Sequence, residues 1–236
     1  MGDSITYGYP VAGGWRTQLY QDLNPTGTNY AFVGSQTSNP STLLTSVNDT
    51  NHDGFPGIVI NNLLPSVSTD VATGRPTDIL LQIGINDILG RTPLVQNEAD
   101  ISNLVHQIYI ADPSTHVFIA SILPSINISF QPQIEAYNAY IADAVVPIEQ
   151  GLGMNITFVD QYANFVDSTD TPIISLYDFS NGTGDIVHPD LAGYIVMANT
   201  WNAAITASAI PEPSPVSLIL IGGAICAAFV QIRRRI

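Results

Sequence analysis

An aspartate and a histidine in the last quarter of the chain have the spacing of a proton-relay pair. Asp185 and His188 are three residues apart, in a loop that precedes a predicted helix. With this spacing the carboxylate can hold one ring nitrogen of the histidine, so that the other nitrogen is free to take a proton from a serine hydroxyl. The alternative interpretation is an ordinary Asp/His pair that caps the helix.

Two further segments offer the other parts of such a site. Ser4 follows Gly2 and Asp3 and is a candidate nucleophile, although a helix N-cap is the alternative reading of this serine. Asn86 comes two residues after Gly84, and its amide could donate a hydrogen bond to a developing oxyanion. The alternative there is a plain turn. No G-x-S-x-G sequence occurs in the chain, which excludes the usual α/β-hydrolase arrangement.

Apolar runs that alternate with helical patterns supply the elements that must position these residues. Asp78–Gly84 and His116–Pro124 are continuous apolar runs, typical of strands covered on both faces. Further strands are predicted at 30–35 and 156–162, and helices at 14–23, 58–72, 96–111, 131–150 and 189–207, with Pro65 interrupting or restarting the second helix. This alternation predicts an α/β fold with a doubly wound parallel sheet, which binds ligands at the carboxyl ends of its strands.

The order of the three segments resembles the SGNH (GDSL-type) hydrolase superfamily. Gly-Asp-Ser lies near the N-terminus, Gly-x-Asn-Asp follows a middle strand, and Asp-x-x-His precedes the last helix. The stretches "GDSITYGYPVAGGWRTQLYQDL", "YAFVGS", "NHDGFPG" and "ILLQIGINDIL" look closest to family 3 carbohydrate esterases, acetyl xylan esterases among them. The resemblance runs from residue 2 to about 205 and implies a three-layer, flavodoxin-like sheet.

The resemblance also implies a role for each candidate residue. Ser4 would be the nucleophile, His188 the base and Asp185 the partner that orients it. The backbone N–H groups of Ser4 and Gly57 and the side chain of Asn86 would form the oxyanion hole. No cofactor and no metal ion is implied.

Charge and cysteine content exclude several classes of partner and site. The chain has six arginines and no lysine against twenty acidic residues, a net charge of −14, so nucleic acid is not an expected partner. The single cysteine, Cys226, excludes an intrachain disulfide and a zinc site built from several cysteines.

One loop matches the first half of a calcium-binding loop. "DTNHDG" (Asp49–Gly54) has the D-x-N-x-D-G pattern, but the closing glutamate position is occupied by Ile60, so the loop is not an EF-hand. Whether calcium binds at Asp49–Asp53 stays open, with a plain polar loop as the alternative. His52 in this loop is a candidate substrate contact, while His106 and His116 are interpreted as structural or surface residues.

The last part of the chain differs in character from the rest. A Pro-rich break at "IPEPSP" is followed by the apolar segment Val216–Ile232 and by three arginines. This pattern resembles the PEP-CTERM sorting signal, which implies processing by an exosortase-type enzyme and transient membrane association through the helix at 216–232. A permanent single-span anchor and a buried core helix are the alternatives. The predicted organisation is an esterase domain at 1–209 and a sorting tail at 210–236.

The beginning of the chain departs from the pattern of the superfamily. The resemblance places an apolar strand directly before Gly-Asp-Ser, but only Met1 precedes Gly2. The arginine cluster in turn predicts that the domain lies outside the cytoplasm, which requires an export signal. We therefore expect the gene to encode an upstream strand and a signal peptide in the same frame.

These patterns together predict an exported serine esterase at the cell surface or in the extracellular matrix of a Gram-negative bacterium. The expected substrate is an O-acetyl group on a polysaccharide. Two alternatives stay open: a lipid, aryl or thioester hydrolase of the lysophospholipase type, and a non-catalytic exported protein that binds glycans.

Overall fold

The computed structural model describes residues 1–25, 30–180 and 185–209. The predicted sorting tail at 210–236, with its helix at 216–232, Cys226 and three arginines, lies outside the described residues and stays a prediction. Within the described ranges, no helix is long and apolar enough to cross a membrane. Met1–Asn202 forms one compact unit, and the described part of the second unit is the short stretch 203–209.

Three parallel strands form the centre of the fold. They are β1 (Asp78–Leu81), β2 (His116–Ala120) and β3 (Ile156–Val159), in the order β1-β2-β3. Ile79 lies opposite Val117 in the register of the first pair. Each strand ends before the segment predicted for it does, because the residues that follow leave the sheet at its carboxyl edge.

Helices connect and cover these strands. Their bounds are α1 Ser4–Tyr7, α2 Gly14–Leu23, α3 Thr42–Ser46, α4 Ile60–Gly74, α5 Ile85–Leu89, α6 Leu94–Ala111, α7 Gln131–Tyr140, α8 Val146–Gly151 and α9 Leu191–Ser208. A π turn at Ile141–Val145 joins α7 to α8, and single 3-10 turns lie at Ile128–Phe130, Tyr162–Asn164 and Ile174–Leu176. The long predicted helices are confirmed with boundaries that differ by at most two residues.

Both faces of the sheet are buried, as expected for a doubly wound fold. Val117 and Ile119 of β2 belong to the main apolar cluster, which also contains the buried faces of α4 and α6. Phe118 and Ala120 point the other way, since side chains alternate along a strand, and they are also buried. The α/β fold class predicted from the sequence is therefore confirmed.

The first two residues lie beside β1 as a further parallel segment. Gly2 pairs with Gln82 on one side and with Gly54 on the other. The backbones approach so closely that a Cβ atom on Gly2 would lie 2.1 Å from the carbonyl oxygen of Gln82. Glycine is thus required here, and Asp3 and Ser4 follow directly at the carboxyl edge.

Two predictions about local structure are wrong. No strand forms at 30–35, because backbone donors there bond to side chains: Phe32 N–H donates to Asp49 and Ser35 N–H to Asp53, at 2.8 and 2.7 Å. Pro65 does not interrupt its helix, since α4 continues through it to Gly74. The buried face of α4, which includes Leu63 and Val67 on either side of the proline, holds the helix together against the core.

Candidate active site

Ser4 is the first residue of a one-turn helix at the carboxyl edge of the sheet. Asp3 caps this helix, because its Oδ1 accepts the N–H of Ile5 at 2.9 Å. The helix ends at Gly8, which has a left-handed φ of 91° that glycine adopts without strain. Burial raises the pKa of the Asp3 carboxyl to about 6, an effect partly offset by the hydrogen bond from Ile5.

Two polar side chains hold the other end of α1. Arg16 is 1% exposed, and its Nη2 donates to the carbonyl of Tyr7 at 3.2 Å. Asn39 Nδ2 donates to the carbonyls of Tyr7 and Gly8, each at 3.2 Å. These donors satisfy carbonyls that a helix end leaves without intrahelical partners, so the short helix that carries Ser4 is fixed at both ends.

Ser4, His188 and Asp185 lie in series, joined by two short hydrogen bonds. Ser4 Oγ is 2.7 Å from His188 Nε2, and His188 Nδ1 is 2.7 Å from Asp185 Oδ2. Asp185 Oδ1 also accepts the backbone N–H groups of Val187 and His188, each at 3.0 Å. Burial by itself would raise the pKa of Asp185, but these hydrogen bonds outweigh it and hold the pKa below its usual value.

The loop that contains Asp185 and His188 is anchored to neighbouring loops. The carbonyl of Ile186 accepts hydrogen bonds from Ser125 Oγ and from Ile126 N–H, both at 3.0 Å. Asp178 N–H donates to the carbonyl of His188 at 3.0 Å. The loop after β2 therefore supports the histidine from one side and a later loop supports it from the other.

Asn86 is tied to the loop that contains Gly57. Its Nδ2 donates to the carbonyl of Ile58 at 2.9 Å, which leaves the second amide hydrogen available for another acceptor. Gly57 is exposed with a left-handed φ of 78°, and a Cβ atom there would meet nothing within 4 Å. Among the described residues, the N–H groups of Ser4 and Gly57 donate to no backbone or side-chain acceptor.

Gly84 places Asn86 by allowing a close approach to Tyr137. It has a φ of 126°, and a Cβ atom would lie 2.7 Å from the Tyr137 ring. The hydroxyl of Tyr137 donates to the carbonyl of Ile83 at 3.0 Å, which fixes the chain just before α5. A residue with a side chain at position 84 would therefore displace the helix that carries Asn86.

Asp87 fastens α5 to the start of α4. Its two carboxylate oxygens accept the N–H of Ile60 at 3.3 and 3.2 Å, and the residue is 2% exposed. Burial raises the pKa of Asp87 to about 6, and the hydrogen bond from Ile60 offsets only part of this effect. The carboxyl is therefore costly to ionise in the folded protein.

We expect Asp87→Asn to remove part of the pH dependence of folding stability. The carboxyl has a pKa of about 6 when folded and 3.8 as its ordinary value, so between pH 4 and 6 the folded state holds a proton that the unfolded state has released. Wild-type stability should therefore fall as pH rises through this window. The free energy of unfolding of the variant, relative to that of wild type, should rise by about 2 kcal/mol from pH 4 to pH 6.

Urea denaturation of both proteins at a series of pH values measures this difference. Asp143→Asn, which changes an exposed carboxyl, serves as the control and should run parallel to wild type. A stability difference between Asp87→Asn and wild type that does not change from pH 4 to 6 would show that Asp87 has an ordinary pKa.

The histidine of the loop Asp49–Gly54, His52, makes contacts within the fold. His52 is 3% exposed, and its ring bonds the Ser38 carbonyl and Gly54 N–H at 2.8 and 3.0 Å, so its interpretation as a substrate contact is wrong. Burial lowers its pKa to about 4.

His106 pairs with Glu149 and His116 with Thr157, as expected of structural residues. Within the described ranges, no group of three potential metal ligands is found.

Tyr9 is a residue of the site that the sequence motifs did not indicate. Its ring packs edge-on against the ring of His188, with centroids 4.9 Å apart. Tyr194 of α9 donates its hydroxyl to the carbonyl of Tyr9 at 2.6 Å. Tyr9 is 44% exposed, so it forms an aromatic wall beside the histidine. Its nearness to Ser4 in the chain was the available signal.

Comparisons with known proteins agree with this arrangement of segments. The profile of the GDSL-like Lipase/Acylhydrolase family matches residues 1–196. A multidomain esterase of Ruminococcus flavefaciens is 28% identical over 224 residues, which cover 85% of this chain and 27% of that protein. The chain thus spans about a quarter of the length of this relative.

Solved structures show the same fold. A family 3 carbohydrate esterase of Clostridium thermocellum has a TM-score of 0.70 and 30% identity, with coverage of 86% of this chain and 91% of that one. A family 3 carbohydrate esterase from Talaromyces cellulolyticus has a TM-score of 0.62 and 17% identity, with coverage of 88% and 94%. At that lower identity the likeness concerns the fold alone.

Proposed function

The chain belongs to the GDSL-like lipase/acylhydrolase family, and from this premise we propose that it is a serine esterase that removes O-acetyl groups from polysaccharide. One observation carries the proposal: Ser4 Oγ, the His188 ring and the Asp185 carboxylate are connected by two hydrogen bonds of 2.7 Å. A hydroxyl, an imidazole and a carboxylate in this order form a nucleophile, a base and the group that orients the base.

The proton path in the proposed mechanism follows from these contacts. Asp185 accepts a hydrogen bond from the Nδ1–H of His188, which leaves Nε2 unprotonated and directed at Ser4 Oγ. As Oγ attacks the ester carbonyl, its proton moves to Nε2, and the resulting imidazolium is stabilised by the ionised carboxylate. His188 then gives the proton to the departing sugar oxygen, which leaves as a hydroxyl, and an acetyl-enzyme remains. Water, activated by the same ring, releases acetate.

The negative charge on the carbonyl oxygen needs donors at the carboxyl edge. In the proposed mechanism these are the N–H groups of Ser4 and Gly57 and the second amide hydrogen of Asn86. The first two have no acceptor among the described residues, and the third belongs to an amide already oriented by Ile58. Donors that are fixed before the reaction need no reorganisation as charge develops.

We expect Asn86→Ala to lower kcat for p-nitrophenyl acetate by about 100- to 1000-fold, because one oxyanion donor is typically worth that factor. KM should change much less, since the donor acts mainly on the transition state. Steady-state kinetics measure both parameters. Asn103→Ala, on the exposed face of α6, is the matched control. A decrease in kcat of less than threefold for Asn86→Ala would show that this side chain does not stabilise the oxyanion.

Polysaccharide is the proposed source of the ester because this chain is 30% identical to a family 3 carbohydrate esterase of Clostridium thermocellum. Acetate release from acetylated xylan and from other acetylated glycans, compared with hydrolysis of long-chain acyl esters, tests the substrate. A preference for long acyl chains would favour a lipid hydrolase instead. Binding of glycans without any acetate release, also in an N-terminally extended protein, would favour a non-catalytic role.

Export and tail processing are proposed from the sequence alone. The Pro-rich break, apolar segment and arginine cluster after residue 209 support an exosortase-type partner and transient membrane association. Mass spectrometry of the mature C-terminus tests this part separately. Cleavage near Pro211–Pro213 is expected, whereas an intact C-terminus would indicate a permanent anchor.

A further inference from the structure

A cavity of about 510 Å³ lies at the end of α5, the short helix that carries Asn86. It is bordered by the turn after α5 and by the segment that leads into α7, and Ile88, Arg91, Leu94, Asn97, Phe130 and Gln133 line it. Ile88 lies on the same short helix as Asn86, two residues further on. The lining segment at Phe130 follows the loop that anchors the carbonyl of Ile186. The cavity and the proposed oxyanion donor are therefore connected through the same short helix.

One buried polar group of the cavity lacks a partner. Asn97 is 1% exposed, and its Oδ1 has no hydrogen-bond partner among the described residues. A buried polar group without a partner is unfavourable, so a ligand that donates a hydrogen bond to it is favoured. A sugar hydroxyl is such a donor. Leu94 and Phe130 offer apolar surface for the C–H face of a sugar ring.

The cavity also carries an exposed positive charge in an acidic protein. Outside the three arginines near the C-terminus, the chain has only Arg16, Arg75 and Arg91. Arg16 is buried, whereas Arg91 is exposed and forms no ion pair within the part of the chain that the structure describes. Its left-handed turn is held by two backbone bonds, Arg91 N–H to Ile88 O and Thr92 N–H to Asp87 O.

We propose that this cavity binds a carboxylate-bearing sugar residue of the glycan substrate, a uronic acid in the same oligosaccharide chain as the acetylated sugar. Arg91 pairs with the carboxylate, Asn97 Oδ1 accepts from a hydroxyl, and Phe130 contacts the ring. A planar guanidinium matches a carboxylate with two parallel hydrogen bonds. The polar groups and single cation favour an acidic sugar over an acyl chain. The inference rests on the proposed esterase function and narrows its substrate class.

Kinetics with paired oligosaccharides test the subsite. The probes are acetylated xylo-oligosaccharides with and without one glucuronic acid residue, and the readout is the ratio of kcat/KM for acidic over neutral substrate. We expect this ratio to be about ten in wild type and close to one in Arg91→Gln, since one charge-assisted pair is worth roughly this factor. High salt should also lower the ratio, because Arg91 is exposed.

Arg75→Gln is the matched control, because Arg75 is also exposed and also has a positive φ. It should retain the wild-type ratio. A purely structural role of Arg91 would lower kcat/KM for both substrates equally, and that result would overturn the proposal. A wild-type ratio of one would also overturn the proposal. So would a preference for a phosphorylated over a neutral oligosaccharide that is as large as the preference for the uronic acid.

Binding measurements separate the subsite from the chemistry. Calorimetric titration of Ser4→Ala with the deacetylated acidic oligosaccharide should show binding that Arg91→Gln in the same background weakens about tenfold. If this binding is seen but wild type hydrolyses no ester, the proposed function fails and the subsite stands. If esters are hydrolysed but the acidic oligosaccharide binds no better than the neutral one, the proposed subsite is wrong and the proposed esterase function stands.

Discussion

Ser4→Ala is expected to reduce hydrolysis of p-nitrophenyl acetate by about 10⁴- to 10⁶-fold in kcat, the range found when the nucleophile of a serine triad is removed. The loss follows because no acyl-enzyme can form without Oγ. The fold should be unaffected, since the substitution removes a single hydroxyl from the first residue of α1 and leaves the Asp3 cap in place.

Activity and thermal unfolding measured on the same preparation separate these two effects. Ser46→Ala, an exposed serine of α3, should keep wild-type activity and is the control. Electrospray mass spectrometry after mixing with substrate should show an added acetyl group on wild type and none on Ser4→Ala. Near-normal hydrolysis by Ser4→Ala would show that Ser4 is not the nucleophile.

Asp185→Asn should lower kcat by about 10⁴-fold, by analogy with the same change in the chymotrypsin triad. The asparagine oxygen can still accept the N–H groups of Val187 and His188, so the loop should keep its shape. Its amide nitrogen, however, would replace the oxygen that faces Nδ1. An amide donor there forces the ring proton onto Nε2, and a protonated Nε2 cannot take the proton of Ser4.

Proton NMR provides a readout that a merely structural role would not change. The Nδ1 proton shared by His188 and Asp185 should give a far-downfield signal in wild type, and this signal should be lost in Asp185→Asn. Asp143→Asn, an exposed carboxyl on the π turn, is the control for both measurements. Activity within tenfold of wild type for Asp185→Asn would mean that the carboxylate does not set the tautomer.

The segments with strong local patterns were predictable from the sequence. Continuous apolar runs identified β1 and β2, because a strand covered on both faces must be apolar along its length. The periodicity of α6 and α9 likewise gave their extent within two residues. Gly-Asp-Ser, Gly-x-Asn-Asp and Asp-x-x-His were recognisable for the same reason: each is a short local pattern.

Where local pattern and tertiary contact compete, the sequence was a poor guide. Residues 30–35 have the composition of a strand, but two of their backbone N–H groups donate to the carboxylates of Asp49 and Asp53. His52 has the residue type of a substrate contact, but it is buried and bonds two backbone groups. In both cases a deciding partner is distant in the chain: Asp49 and Asp53 lie 17 and 18 residues from the donors that they bind, and Ser38 lies 14 residues from His52.

The sequence by itself determined the fold class, the acidic surface and the candidate residues Ser4, Asn86, Asp185 and His188. Only the tertiary structure decided that Ser4 and His188 are 2.7 Å apart, that Tyr9 packs against the histidine, and that Arg91 borders a cavity. The physical reason is that propensity and burial periodicity act between near neighbours in the chain. A hydrogen bond between residues 184 positions apart instead depends on the packing of every element between them.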